Sequence, residues 1–230
     1  LAARRALGPG YPIERDFTPS YNPWDQRMCL VPDGDLFEAI RTGRASVVTD
    51  RIDVFVPDGI RLASGSTLPA DVVVTATGLN LQVLSDVALM VDGAHVDLAK
   101  TLAYKGMMFS NVPNLALSMG YTNASWTLKC DLTCSYVCRL LNYMGERGYA
   151  QCVARDVDPT LERLPMIDLS SGYVHRSIDK FPKQGAKAPW RLYQNYLLDV
   201  MALRYGSLDD AVLAFSAPER RSERVPPLAD

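Results

Sequence analysis

Tyr121, Thr122, Asn123 and Ser125 lie in the run "GYTNAS", between an apolar stretch and a strongly periodic helical repeat. A chain that enters a helix at such a turn exposes unbonded N–H groups and the positive end of the helix dipole, which suits a phosphate or an electron-rich ring edge. The same hydroxyl and amide side chains would serve equally as a plain N-cap. A second candidate is Arg27, set in "YNPWDQRMCLVPDGD" among aromatic and turn residues, on the kind of irregular loop that often carries function. Taken alone it reads as a surface residue or an ion-pair partner of Asp25 or Asp33. A third is "VVVTATGLN", where an apolar run from Val72 stops at Thr77 and Gly78. A buried strand whose exit needs an unusual φ would look the same.

Other chemistries are poorly supplied. With His95 and His175 as the only histidines, a histidine metal site or a serine triad has little to draw on, and no metal is expected. The sequence has no G-x-S-x-G, no G-x-x-x-x-G-K-[ST], no H-E-x-x-H and no C-x-x-C. Cys130, Cys134 and Cys138 recur at helical spacing, but ligands strung along about 12 Å of helix do not converge on one ion. Packed small thiols are the expectation. The five cysteines, Cys29 and Cys152 included, are odd in number and scattered, which fits reduced thiols in a cytoplasm better than a disulfide framework.

The elements that must position these residues follow from periodicity. "LAARRAL" reads as the last turns of a helix stopped by Gly8-Pro9-Gly10, so an N-terminal part is expected to be missing. Leu36 to Ile40 give a short helix. From Ala45, β-branched residues alternate with polar ones around Pro57-Asp58-Gly59 and Ser64-Gly65-Ser66, predicting a three-stranded meander that feeds a buried strand over 72–76. Asp92-Gly93 predicts a hairpin, and "MMFSNVPNLALSMG" a strand, a turn at 111–114 and a second strand over 115–119. Leu128, Leu132, Tyr136, Val137, Leu140, Leu141 and Met144 mark one face of a helix that Gly145 should end. A second amphipathic helix is expected over 190–205, and a disordered tail from Pro218.

A formal net charge of -2, with 48% hydrophobic and 22% charged residues, gives no electrostatic reason for a nucleic-acid or membrane-surface partner. No apolar run approaches the roughly 20 residues of a membrane helix.

In order and spacing, the "YNPWDQR" loop, the meander, the "ATG" strand, "YKGMMFSNVPNLALSMGYTNASWT" and the helix after it resemble the C-terminal half of flavin-dependent monooxygenases. The resemblance is to the Baeyer–Villiger type, most of all the thioamide-prodrug-activating (ethionamide) monooxygenases, from about Pro9 to Phe215. It implies an α/β fold in which FAD and NADPH domains of Rossmann type are interleaved, here incomplete: a C-terminal half with a β-meander and amphipathic helices. Residues 1–78 would be the C-terminal part of the NADPH-binding domain with its linker loop, 79–148 the returning part of the FAD-binding domain, and 149–230 a C-terminal extension.

The family pattern D-x-x-x-x-x-A-T-G is matched by Asp71, Ala76, Thr77 and Gly78, at the crossover between the two domains. The resemblance also implies that Tyr121, Thr122, Asn123 and Ser125 face the pyrimidine edge of flavin, and that Arg27 falls at the family's active-site arginine. The implied chemistry is reduction of flavin by NADPH, capture of dioxygen as a C4a-peroxide, and oxygen transfer beside a ketone carbonyl or onto sulfur. Absent are the family's glycine-rich turns for FAD and NADPH and its F-x-G-x-x-x-H-x-x-x-W-P fingerprint, so the chain by itself is expected to be inactive. The alternatives are a related flavin N-hydroxylase or reductase, and a truncated non-catalytic remnant.

Overall fold

A computed structural model describes residues 2–22, 25, 26, 31–85 and 87–218. They fall into two units, Leu1–Leu79 and Asn80–Asp230.

In the first unit, three short helices, α1 (Ala2–Leu7), α2 (Ile13–Asp16) and α3 (Asp35–Arg41), precede a sheet. Phe17 packs edge-on against Phe37 at 5.6 Å between ring centroids, which ties the second helix to the third. The predicted meander is present: β1 (Ile52–Val56), β2 (Gly59–Leu62) and β3 (Thr67–Pro69) pair antiparallel in sequence order, with Ile60 opposite both Phe55 and Leu68.

The strand expected to follow it does not form. Residues 71–80 have no regular structure, and Val72 and Val74 are 79% and 82% exposed. An apolar run becomes a buried strand only when neighbours on both sides accept its backbone hydrogen bonds. No strand among the described residues pairs with this one.

The second unit holds the main core. The hairpin of β4 (Met90–Val91) and β5 (Ala94–His95) turns at Asp92 and Gly93, both at positive φ, as an Asp-Gly hairpin requires. A tighter ribbon follows, β6 (Ala103–Tyr104) and β7 (Met108–Phe109), joined through Lys105 and Gly106. At Gly106 the φ of +73° and a leucine methyl of Leu192, 3.0 Å from where a Cβ would stand, leave room only for glycine. The 111–114 turn forms, and Asn114 clasps the next strand in both directions. Its N–H donates to the Cys152 carbonyl, and its Oδ1 accepts from the Cys152 N–H. Residues 115–119 contribute one backbone bond, Leu117 N–H to Met107 O at 2.7 Å, and no strand.

The predicted helix is α4 (Trp126–Arg147). It runs past Gly145 to end at Gly148, which takes the left-handed conformation of a C-cap. Its buried face is Lys129, Leu132, Thr133, Tyr136, Leu140 and Met144. Leu128 and Leu141 lie outside that face and are exposed, as are Cys134 and Cys138, so the thiol stripe is not packed as the sequence suggested. At about 100° per residue, the stripe lies about 100° or more round the helix from the face that meets the core.

Beyond this helix, the region expected to be loop carries sheet. β8 (Gln151–Ala154) pairs antiparallel with β11 (Leu213–Ser216), and β9 (Arg163–Pro165) with β10 (Lys183–Gly185). A short α5 (Gly172–His175) lies between β9 and β10. The last helix begins later than the periodicity implied: α6 (Tyr196–Asp199) is capped by Asn195, whose side chain accepts from the N–H groups of Leu197 and Leu198. It continues as a π-helix over Val200–Tyr205, whose end is held by Arg139 donating to the carbonyls of Leu203 and Gly206. Residues 191–195 have no regular structure, with Gln194 at φ +50° just before the Asn195 cap. Leu102, Tyr104, Leu132, Tyr136, Trp190 and Leu203 form the centre of the core. Among the described residues, no helix is long and apolar enough to cross a membrane.

Candidate functional site

The turn into α4 is built tightly. Gly120 sits under Trp126, and a Cβ there would be driven into the indole ring and the Trp126 backbone. Tyr121 is buried beneath the turn, and its hydroxyl donates to Asp199 Oδ2 at 2.6 Å. Lys129, from the first turn of the helix, reaches the same oxygen with Nζ at 3.0 Å and lies 5.9 Å from the centre of the Tyr121 ring. One carboxylate oxygen therefore holds a phenol and an ammonium together. Burial lowers the Lys129 pKa, and Asp199 opposes that shift. Burial also raises the Tyr121 phenol, and its hydrogen bond to Asp199 adds to the effect.

The other side of the turn is fixed by the 190–195 loop. The Thr122 N–H donates to Gln194 Oε1 at 3.0 Å, and the Asn123 side-chain amide to the Gln194 carbonyl at 3.3 Å. Ser125 occupies the N-cap position without making a cap bond, its hydroxyl paired instead with that of Thr127 at 2.8 Å. The first turn contains no acidic residue. The turn borders a cavity of about 90 Å³ lined by Gly106, Tyr121, Thr122, Trp126, Lys129 and Asp199 among others. At roughly 30 Å³ per water in the liquid, that is space for a ring edge or a small headgroup, not for a dinucleotide. The arrangement can hold partial or full negative charge against a helix N-terminus and a lysine.

A second polar cluster lies deeper in the same unit. The Tyr104 hydroxyl donates to Asp210 Oδ2 at 2.6 Å and stands 3.0 Å from the Tyr136 hydroxyl. Lys105 Nζ is 3.4 Å from Asp210 and within 5.0 Å of both tyrosine ring centres. Burial pushes the Tyr136 phenol up to about 12 from 10.0, and burial, Tyr136 and Asp210 raise that of Tyr104. These phenols stay neutral in the fold but ionise near 10 in the unfolded chain, because only the fold buries them. Their stabilisation is complete below pH 10 and is lost as pH rises from there through about 12. Urea midpoints are expected to fall as pH rises from 10 towards 12, with part of the tyrosinate absorbance appearing only on unfolding. A midpoint that is flat across that window would contradict the network.

The sequence-predicted residues are distributed as follows. Tyr121 and Thr122 line the α4 cavity, with Asn123 and Ser125 exposed beside them. Thr77 and Gly78 belong to the first unit, in the exposed segment 71–80, where Gly78 has φ +112°. Arg27 lies outside the described residues. Lys129, Gln194 and Asp199 were not singled out by sequence. Lys129 had a legible signal, since it falls on the helical stripe of Leu132, Tyr136 and Met144, where a cation must find an acid.

This helix entry belongs to a mixed α/β chain with small antiparallel sheets, and in sequence the chain is a relative of FAD-containing monooxygenases. It is 53% identical over 213 residues to the FAD-containing monooxygenase EthA of Mycobacterium tuberculosis and 48% identical over 214 residues to EthA of Mycolicibacterium smegmatis. It is also 49% identical over 211 residues to the "Probable FAD-binding monooxygenase AlmA" of Acinetobacter baylyi. These matches cover 91–93% of this chain but 42–44% of each relative, so the chain spans less than half the length of the relatives it matches. No protein-family model matches the sequence, and no solved structure matches it.

Proposed function

We propose that this chain forms part of an FAD- and NADPH-dependent monooxygenase that uses dioxygen to place oxygen beside a ketone carbonyl or on sulfur. The observation that carries the reading is the entry to α4, where Ser125 makes no cap bond and Lys129 borders a small cavity, in a chain 53% identical to an FAD-containing monooxygenase. The donor set fits the pyrimidine edge of a flavin. In this reading the first-turn N–H groups of α4 hold that edge, Tyr121 and Thr122 wall the cavity that receives it, and Asn123 and Ser125 flank it. Lys129 places positive charge beside it and so favours a reduced, anionic ring. Flavin, when bound, supplies the hydride acceptance and oxygen chemistry that no side chain can. Asp199 keeps the Lys129 ammonium in place and charged, and Tyr121 keeps Asp199 oriented.

Thr77 and Gly78 belong to the crossover between nucleotide domains in this reading, and Arg27 to the oxygenation site. Residues 1–78, 79–148 and 149–230 are then the NADPH-side segment, the returning FAD-side segment and a C-terminal extension.

The test joins this chain to the preceding portion of the M. tuberculosis relative. The product is expected to purify with flavin absorbance, to oxidise NADPH, and to convert a cyclic ketone to a lactone or a sulfide to a sulfoxide. A folded product without flavin would refute the reading. A flavin-bound product that makes only hydroxylamine from an amine would move it to the N-hydroxylases.

A further inference from the structure

Beside the α4 cavity lies a larger one of about 440 Å³, within the size range of small-molecule sites. Pro189, Leu192, Ala202, Leu203 and Val212 give it a largely apolar wall. Lys105, Arg191, Asp199 and Asp210 also line it. Three of these charges are already matched. Lys105 pairs with Asp210, whose Oδ2 takes the Tyr104 hydroxyl and whose Oδ1 accepts from the N–H groups of Val212 and Leu213. Asp199 takes Lys129 and Tyr121. Arg191 is the exception: it is half-buried and, among the described residues, its side chain has no acid, carbonyl or ring as partner.

Arg191 lines this apolar chamber, and a guanidinium is a fork for a carboxylate that stays charged at any physiological pH. With Asp199 and Asp210 held by Lys129 and Lys105, Arg191 leaves one unmatched positive charge at the chamber, which suits a single carboxylate. Apolar walls reward a hydrocarbon body. We infer that this cavity binds a monocarboxylate with an apolar chain, its carboxylate on Arg191 and its chain along Leu192, Leu203 and Val212. The site is separate from the flavin reading and stands without it.

Isothermal titration of the full chain with octanoate, below its micellar range, tests the site. One saturable site is expected, with octan-1-ol at least about tenfold weaker, the size of one charge-assisted pair. Arg191→Gln should weaken octanoate by about tenfold or more, to the level of the alcohol, and leave the alcohol's own affinity and the circular dichroism unchanged. Ala202→Phe, which adds bulk at the chamber wall, should weaken both ligands. The inference is overturned by the absence of saturable octanoate binding, by equal affinities for acid and alcohol, or by octanoate binding that survives either substitution.

Discussion

Replacing Asp199 by alanine is expected to lower the unfolding free energy by about 3–5 kcal/mol, the range found when one partner of a buried ion pair is removed. Lys129 and Asp199 retain 9% and 11% of their side-chain exposure, so solvent screens the pair little. Without the carboxylate, the buried Lys129 ammonium and the Tyr121 hydroxyl both lose the acceptor they share. Because the same oxygen anchors the Tyr121 side of the turn, the entry to α4 should loosen as well. The paired replacement Lys129→Met with Asp199→Leu should recover most of the loss, since a well-packed apolar pair removes the stranded charge. Urea denaturation of the single and double variants checks both statements. A single variant with an unchanged midpoint would mean that the pair is hydrated.

Trp190→Ala should cost about 3–5 kcal/mol by the loss of a buried aromatic and the cavity left behind. The indole is 4% exposed and meets the Tyr104 ring edge-on, at 5.8 Å and 79°. Its Cβ stands 2.7 Å from where a Cβ on Gly185 would be, so the backbone of β10 closes directly over it. The Gly185 N–H donates to the Trp190 carbonyl, a bond that truncation of the side chain leaves in place. The variant therefore isolates packing from backbone pairing. Trp190→Phe, which keeps an aromatic ring, should lose clearly less, and equal losses in the two variants would show that the indole is not a packing anchor. Since Trp190 precedes Arg191 and Gln194, the alanine variant should also soften the loop that holds Thr122.

Local signals were the legible part of this chain. The meander, the Asp92-Gly93 hairpin, the 111–114 turn and α4 each follow from residues close in sequence, through turn chemistry or helical spacing. What failed depends on distant partners. The Val72 run is apolar enough for a core strand, yet apolarity cannot supply the ladder neighbours that make one. β8 and β11 are separated by about 60 residues and look like loop until they pair, because neither is periodic over enough positions to announce itself. The helix over 190–205 lost its first turn to Asn195, a cap whose meaning depended on the loop before it.

The candidate site divides the same way. "GYTNAS" and the helix it enters were visible, because cap residues and a new period coincide. Asp199 lies 70 residues beyond Lys129 and was hidden inside an ordinary amphipathic pattern, although the lysine on a buried stripe implied that some acid had to meet it.

Asp199 stands in the walls of both chambers. Any occupant of the smaller chamber that draws Lys129 off this carboxylate changes the charge felt in the larger one, and thermodynamic reciprocity requires an equal effect in return. Asp199 is thus a single acidic partition shared by the two chambers.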